Sequence, residues 1–375
     1  MNEKKKVLIV NEPLSYGGMN IASIRFEENL NKDKFECVYC VRRNCKGALE
    51  QTVLDRGVRV IHVPDNELNY YKSYKFYKKL MRDEHFDIVH CHLPFFSGIV
   101  LLAAAECGVS KRVAHAHFSH PYTDTAIYSR AKQAIAVIYR KVMRLLLKKY
   151  CNVKLACSRE AGEFLYGKRE FAKNGIILNN GIDTLRFKFN FDMRSCTRKE
   201  LNISSASIVL GHIGQLYSVK NQSFLIDIFN KFHNENPNSY LLLIGEGSDK
   251  EMLTEKIKVL GLESNVLLLG GRNDIPELLC AMDCFVFPSI HEGFPLTLIE
   301  AQASKLPCVI SDAVTDKTKI NDNIFYLSID ESPETWTKYI NKAISFDRES
   351  VDNTRVISDF DINNISKKLE QIYFS

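Results

Sequence analysis

Two carboxylates eight residues apart, in the string HEGFPLTLIEA at 291–301, are the groups best suited to chemistry in this chain. The string follows CFVFPS (284–289), a short apolar run of strand type. Glu292 then sits in the loop after a strand, Pro295 suits the first position of a helix, and Glu300 lies inside that helix. The amides of Leu296 and Thr297 fall in the first turn, where no intrahelical acceptor exists, and they point toward any anion. A loop carboxylate, a helix N-terminus and a second carboxylate can hold a sugar, a phosphate and a ribose in sequence. The same string also reads as an ordinary helix start with a solvated Glu.

A second stretch carries charge. YSRAKQAIAVIYRKVMRLLLKKYC (128–151) holds Arg130, Lys132, Arg140, Lys141, Arg144, Lys148 and Lys149, with no acid between Asp124 and Glu160. On a helix, Ile135, Ile138, Val142, Leu145 and Leu146 form one stripe, and Arg130, Arg140, Lys141, Arg144 and Lys148 lie opposite. Such a basic amphipathic helix is either a core helix with a solvated face or a surface that docks on anionic lipid. Nucleic acid is not expected as a partner, because no aromatic stacking motif accompanies the charge.

Five histidines gather in two neighbouring strand-like runs: His90 and His92 in one, His115, His117 and His120 at and beyond the other. Alternation leaves only some of them on a common face, and no carboxylate or Cys stands at ligand spacing. No metal is expected, and His90 and His115 read as packing residues. Among eleven Cys the only CxxC is Cys37 and Cys40, inside FECVYCV, where a strand sends them to opposite faces. Buried thiols in a reducing cytosol are expected.

The elements that must position these residues are thirteen apolar runs alternating with amphipathic stretches. They begin at KVLIVN (6–11) and FECVYCV (35–41) and end at PCVISD (307–312) and NIFYL (323–327). Near-continuous apolar strands alternating with helices indicate parallel sheets in βαβ units, and thirteen are too many for one open sheet. The 375 residues, 45% apolar and 25% charged, fit two soluble α/β domains. Residues 1–200 hold 35 Lys and Arg against 21 Asp and Glu, and the remainder 15 against 24, so a basic half precedes an acidic one. The joint falls near 182–205: residues 1–185 form the first domain and 186–355 the second. Residues 356–375 form a last helix that packs back on the first domain. No signal-peptide core and no run of about 18 apolar residues is present.

Eight ordered landmarks then carry a resemblance: NEPLSYGGMN, DIVHCH, AHAHFSH, ILNNGID, GHIGQLYSVKN, LLLIGEGSD, VLLLGGRNDIPELL and HEGFPLTLIEA. Together they resemble the retaining glycosyltransferases of the GT-B fold, the glycosyl transferases group 1, over nearly the whole chain. The resemblance implies two Rossmann-like, doubly wound parallel-sheet domains facing a cleft. The first would bind an acceptor and the second a nucleotide sugar, in bacterial capsule, exopolysaccharide or O-antigen assembly. It implies His117 and Glu292 as catalytic groups, Glu292 contacting hydroxyls of the donor sugar. Gly18, Gln215, Lys220, Arg272, Gly293, Phe294, Leu296, Thr297 and Glu300 would bind the donor, Lys220 at the diphosphate and Glu300 at the ribose. Family members commonly carry Arg where this chain has Gln215, which leaves Arg272 to compensate. Transfer with retention from a UDP-sugar to a lipid-linked or glycan acceptor, with no metal or other cofactor, is expected. The place is the inner face of the cell membrane, where Arg130, Arg140, Lys141, Arg144 and Lys148 would meet anionic lipid. The DFD at 359–361 is read as incidental. A nucleotide-sugar 2-epimerase of the same fold, or a catalytically weak binding subunit, are the alternatives.

Overall fold

The computed structural model describes residues 4–64, 69–118, 130–292 and 294–375, with the side chains at 130 and 131 outside it. His120 and Gly293 therefore lie outside the described residues. Each of the thirteen apolar runs carries a strand. The first sheet holds β1 (Lys5–Asn11), β2 (Phe35–Val41), β3 (Arg59–His62), β4 (Ile88–Cys91), β5 (Lys111–Ala116), β6 (Val153–Ala156) and β7 (Gly175–Ile177). Its order is β3-β2-β1-β4-β5-β6-β7, and every pair is parallel. The second sheet holds β8 (Ile208–Ile213), β9 (Ser239–Ile244), β10 (Val266–Gly270), β11 (Cys284–Phe287), β12 (Cys308–Ser311) and β13 (Ile324–Leu327). Its order is β10-β9-β8-β11-β12-β13, again all parallel.

Helices cover both faces of each sheet, so the central strands are buried on both sides and need no polar alternation. Strand order reverses between β1 and β4 and between β8 and β11. At such switch points the flanking connections leave in opposite directions and open a crevice beyond the carboxyl ends of the strands.

The chain divides into two units, Met1–Gly181 with Ile362–Ser375, and Ile182–Asp361. The joint comes four residues before the 185/186 division read from the sequence. Its position follows from pairing: the Ile182 amide donates to the Phe360 carbonyl at 2.8 Å, and Ile182 bridges Asp361 in parallel. Chain exit and chain return thus lie side by side. Asp361 of the DFD accepts from the Thr184 hydroxyl at 2.6 Å, which gives it a structural place at the joint.

Only the helix Ile362–Phe374 belongs to the first unit, while the short helix Thr354–Phe360 stays with the second. Ile362, Ile365, Leu369 and Tyr373 are buried in one core with Val7, Ile9, Phe35 and Tyr39 of β1 and β2. At about 1.5–3 kcal/mol per fully buried large side chain, this last helix contributes a substantial part of the first unit's stability. Cys37 and Cys40 pack into different cores on opposite faces of β2, and all eleven thiols are free.

Candidate active site

The second unit's switch point brings together two loops whose paired residues stand 72 apart in sequence. The loop after β8 is held down by the loop after β9. The Gly214 amide donates to Ile244 at 2.9 Å, and Gly245, at φ +144°, lies so close that a Cβ would sit 2.0 Å from the Gly214 oxygen. Only glycine adopts that backbone and leaves that space. The loop closes in a 3₁₀ turn, Ser218–Lys220, capped by Asn221 in the left-handed region. The Ile290 amide after β11 then donates to the Val219 carbonyl at 2.9 Å, which locks the two loops together.

This lock sets the pair that carries the site. The Lys220 ammonium meets the Glu292 carboxylate, both side chains less than one-fifth exposed. The ammonium also lies 5.1 Å from the Phe287 ring centroid. Just beyond, the helix Leu296–Ala303 begins. Pro295 is its extended N-cap rather than its first helical residue, a shift of one position from the sequence reading. The first-turn amides of Leu296 and Thr297 have no intrahelical acceptor. One turn on, Glu300 is buried on the same helix face as Leu296. Phe294 stacks on Phe360 at 5.6 Å and 17°, so this donor candidate packs against the joint helix.

Two expected donor groups are placed differently. Gln215 has an exposed side chain, and its carbonyl accepts from Gln222 Nε2 at 2.9 Å. Arg272 is bound by Asp274, 2.7 Å from Nε, and by Glu200 at 3.2 Å, and these carboxylates raise its pKa. Its guanidinium is already paired and does not supply the spare cation expected of it. A group missed from the sequence is His212, whose only signal was a histidine inside the apolar run SIVLGHIG. It is fully buried, its Nδ1 lies 3.0 Å from the Val286 carbonyl, and its Nε2 lies 3.3 Å from Gln222 Nε2. Burial pushes its pKa down to about 3. His212 thus ties β8 to β11 beneath the Lys220 loop as a neutral imidazole.

In the first unit β4 and β5 are neighbours with His90 level with Val113, so histidines two apart on each strand share one face. His90, His92, His115 and His117 form a two-by-two array. His90 Nε2 lies 3.2 Å from His115 Nδ1, and His92 Nδ1 lies 2.8 Å from His117 Nε2. The two pairs stack, His90 on His92 at 4.2 Å and His115 on His117 at 4.3 Å. The alternation argument had left only some of these histidines on one face; the register gathers four. Tyr373 of the last helix shares a 2.6 Å hydrogen bond with His90 Nδ1.

Burial lowers every pKa in the array, to about 3 for His90 and His117. Nitrogens of His90, His92 and His115 come within 4.8 Å of one another, so a metal-sized cluster of donors does exist. Two pairs of ring nitrogens face each other edge to edge while His115 Nε2 is buried without a partner, and among the described residues no carboxylate joins the cluster to balance a dication. His117 Nε2 is tied to His92, and Nδ1 is buried against Asn180, short of a formed hydrogen bond. His117 thus keeps one nitrogen without a partner among the described residues. Gly17 and Gly18 open the helix Gly18–Asn29 after β1, and a Cβ at either would meet nothing within 4 Å.

The basic stretch forms the helix Arg130–Tyr150. It packs through Tyr139, Met143, Leu146, Leu147 and Tyr150, close against Gly98, where a Cβ would sit 3.1 Å from Leu146 Cβ. Four of the five residues of the stripe read from the sequence face outward, Ile135, Ile138 and Leu145 at 62–67% exposed and Val142 at 45%, while Leu146 packs inward. Lys141, Lys148 and Lys149 are exposed beside them. Arg144 departs from the expected basic face, because its guanidinium donates to the Phe164 and Leu165 carbonyls at 2.6 and 3.3 Å. Arg140 folds back to the Ala136 carbonyl at 3.3 Å, and the Arg130 side chain lies outside the described residues. Among the described residues no helix is long and apolar enough to cross a membrane.

Comparison with known proteins agrees with these two sheets. Residues 16–186 match the family described as Glycosyltransferase Family 4, and residues 194–355 the family described as Glycosyl transferases group 1. The chain is 26% identical to the capsular polysaccharide biosynthesis glycosyltransferase CapH of Staphylococcus aureus, over 99% of both chains. It is 28% identical to the UDP-Gal:alpha-D-GlcNAc-diphosphoundecaprenol alpha-1,3-galactosyltransferase of Escherichia coli, over 79% of this chain and 76% of that one. Its fold matches the crystal structure of Anabaena HepE, solved in complex with UDP, with a TM-score of 0.78 over 98% of each chain at 19% identity. The protein is a glycosyltransferase of the GT-B fold and belongs to these families, a Glycosyltransferase Family 4 domain followed by a Glycosyl transferases group 1 domain.

Proposed function

We propose that the protein transfers a sugar, with retention at the anomeric carbon, from a UDP-sugar to a lipid-linked glycan during bacterial surface polysaccharide synthesis. The observation that carries this reading is the Lys220–Glu292 pair at the β8/β11 switch point, with the open first turn of Leu296–Ala303 and Glu300 just beyond it. A diphosphate arriving there would take Lys220 from Glu292 and meet the amides of Leu296 and Thr297. Glu292, released, would accept hydroxyls of the donor sugar, and Glu300 those of the ribose. Charge on the departing diphosphate would be met by the ammonium and the helix N-terminus, and the reading assigns no metal or other cofactor. With no carboxylate assigned as a nucleophile, the leaving phosphate itself would take the acceptor's proton on the front face. Support for the donor comes from UDP in the HepE crystal, and for the acceptor from the diphosphoundecaprenol substrate in the name of the Escherichia coli relative.

The protein would work at the inner face of the cell membrane, held there by the outward stripe and the lysines of Arg130–Tyr150. Mass spectrometry of products from a panel of nucleotide sugars with extracted lipid acceptor tests the reaction. A glycosylated lipid supports it. An epimerised donor formed without acceptor, or no turnover of any donor, overturns it.

A further inference from the structure

The far pole of the second sheet holds a cavity of about 370 Å³. It is bounded by the segment just before β13, with Asn321, Asp322 and Asn323, and by Phe346, Asp352 and Arg355 from the segment after the next helix. Because every strand in this sheet is parallel, the approach to β13 lies at the amino ends of the strands, and the Lys220–Glu292 loops lie at the carboxyl ends. The volume sits at the lower end of the range for small-molecule sites.

Its wall is tied to the helix Leu296–Ala303 by hydrogen bonds, and some of its polar atoms are unused. Gln302 Oε1 accepts from the Ile320 and Asn321 amides at 3.1 Å each, and the Asn321 side chain donates back to the Gln302 carbonyl at 3.0 Å. Asn323 donates to the Lys305 carbonyl at 3.1 Å. The Oδ1 atoms of Asn321 and Asn323 are buried without a partner among the described residues. At the mouth, Asp352 spends Oδ1 on the Thr354 amide and hydroxyl, at 2.9 and 2.6 Å. Phe346 stands edge-on to Phe325, ring centroids 5.8 Å apart, and remains 38% exposed.

These features select a ligand class. Two carboxylates against one guanidinium make the mouth net negative, and Asp352 stands just before the helix Thr354–Phe360, where it offsets that helix's positive end. Phosphate and nucleotide are therefore disfavoured. What remains is a neutral molecule rich in hydroxyl donors with an apolar face for Phe346. Planar carboxylate and guanidinium groups bind adjacent hydroxyls in pairs, and the C–H face of a pyranose packs on an aromatic ring. We propose that this cavity is a second saccharide site, taking one uncharged pyranose residue and separate from the site that would bind the donor.

Saturation-transfer NMR and calorimetry with methyl glucoside, methyl galactoside and N-acetylglucosamine, and with an oligosaccharide of each, test it. Binding should persist with saturating UDP and in Glu292→Ala. Phe346→Ala and Asp322→Asn should each weaken it by about tenfold or more, the cost of one lost stacking or charge-assisted contact. UDP affinity should stay unchanged in both variants, which separates this result from any failure of the donor-site reading. Stronger binding of an oligosaccharide than of its monosaccharide would mean that the site holds a residue of a glycan chain; equal binding would mean a free sugar. Absence of binding by all the probes, or binding equal in wild type and both variants, would overturn the proposal.

Discussion

Lys220 and Glu292 occupy each other, so a diphosphate must compete with a carboxylate for the same ammonium. On the proposed reading, Glu292→Ala should cut turnover by orders of magnitude. A charge-assisted hydrogen bond is worth about 1.5–3 kcal/mol, and more where it tightens in the transition state. Nucleoside diphosphate affinity in the same variant should hold or rise, because Lys220 is released. Calorimetry with UDP and a turnover assay separate the two effects; near wild-type turnover would sink the role given to Glu292. Gln215→Arg makes the converse case. With Arg272 bound to Asp274 and Glu200, no second cation is supplied from that side, so a new guanidinium should tighten UDP binding by about tenfold. Unchanged affinity would show that the exposed Gln215 side chain faces away from the diphosphate.

The elements were more legible than their pairings. All thirteen strands could be read from apolar runs, because strands buried on both faces need no polar interruption. Glu292 could be read as a candidate because it stands in a loop between a strand and a helix start. Its pairing with Lys220, a residue that the resemblance had named, could not, since the two are 72 residues apart and only the β8/β11 adjacency brings the loops together. The helix Arg130–Tyr150 shows another limit. Its sequence contains two apolar faces, and periodicity does not say which one packs. The face with Tyr139, Met143 and Leu147 won, which left Ile135, Ile138, Val142 and Leu145 outside. That outcome changes the test of membrane docking. Arg144 is a poor target, being bound to Phe164 and Leu165, whereas Ile138→Glu with Leu145→Glu removes the exposed stripe. Sedimentation with anionic vesicles should show binding that this pair abolishes and that Lys141→Glu with Lys148→Glu weakens. Salt should weaken it too, as the Debye length falls from about 10 Å at 0.1 M to about 3 Å at 1 M. Equal binding by wild type and the glutamate pair would mean that this helix is not the contact.

For the whole molecule, four buried histidines and the half-buried His117 make stability fall with acid. His90, His92, His115 and His117 lie in the first unit and His212 in the second, all with pKa values lowered by burial. An unfolded chain protonates these side chains below about pH 6.5, while the folded chain keeps them neutral to about pH 3 at His90, His117 and His212. Over that window the unfolded state binds more protons, so stability is present above about pH 6.5 and declines as pH falls. Each such histidine contributes a slope of about 1.4 kcal/mol per pH unit, and the array places four in one unit. Urea denaturation should therefore give a much lower midpoint at pH 5.5 than at pH 7.5, with the first unit failing before the second. The last helix should leave with it, since Tyr373 is hydrogen-bonded to His90 and its neighbours share the core of β1 and β2. His115→Gln should flatten the profile by about one proton's slope, even though the cavity it creates lowers stability at pH 7.5. A midpoint independent of pH between 7.5 and 5.5 would mean that the array takes up protons while folded, and that its rings do not stay locked as neutral pairs.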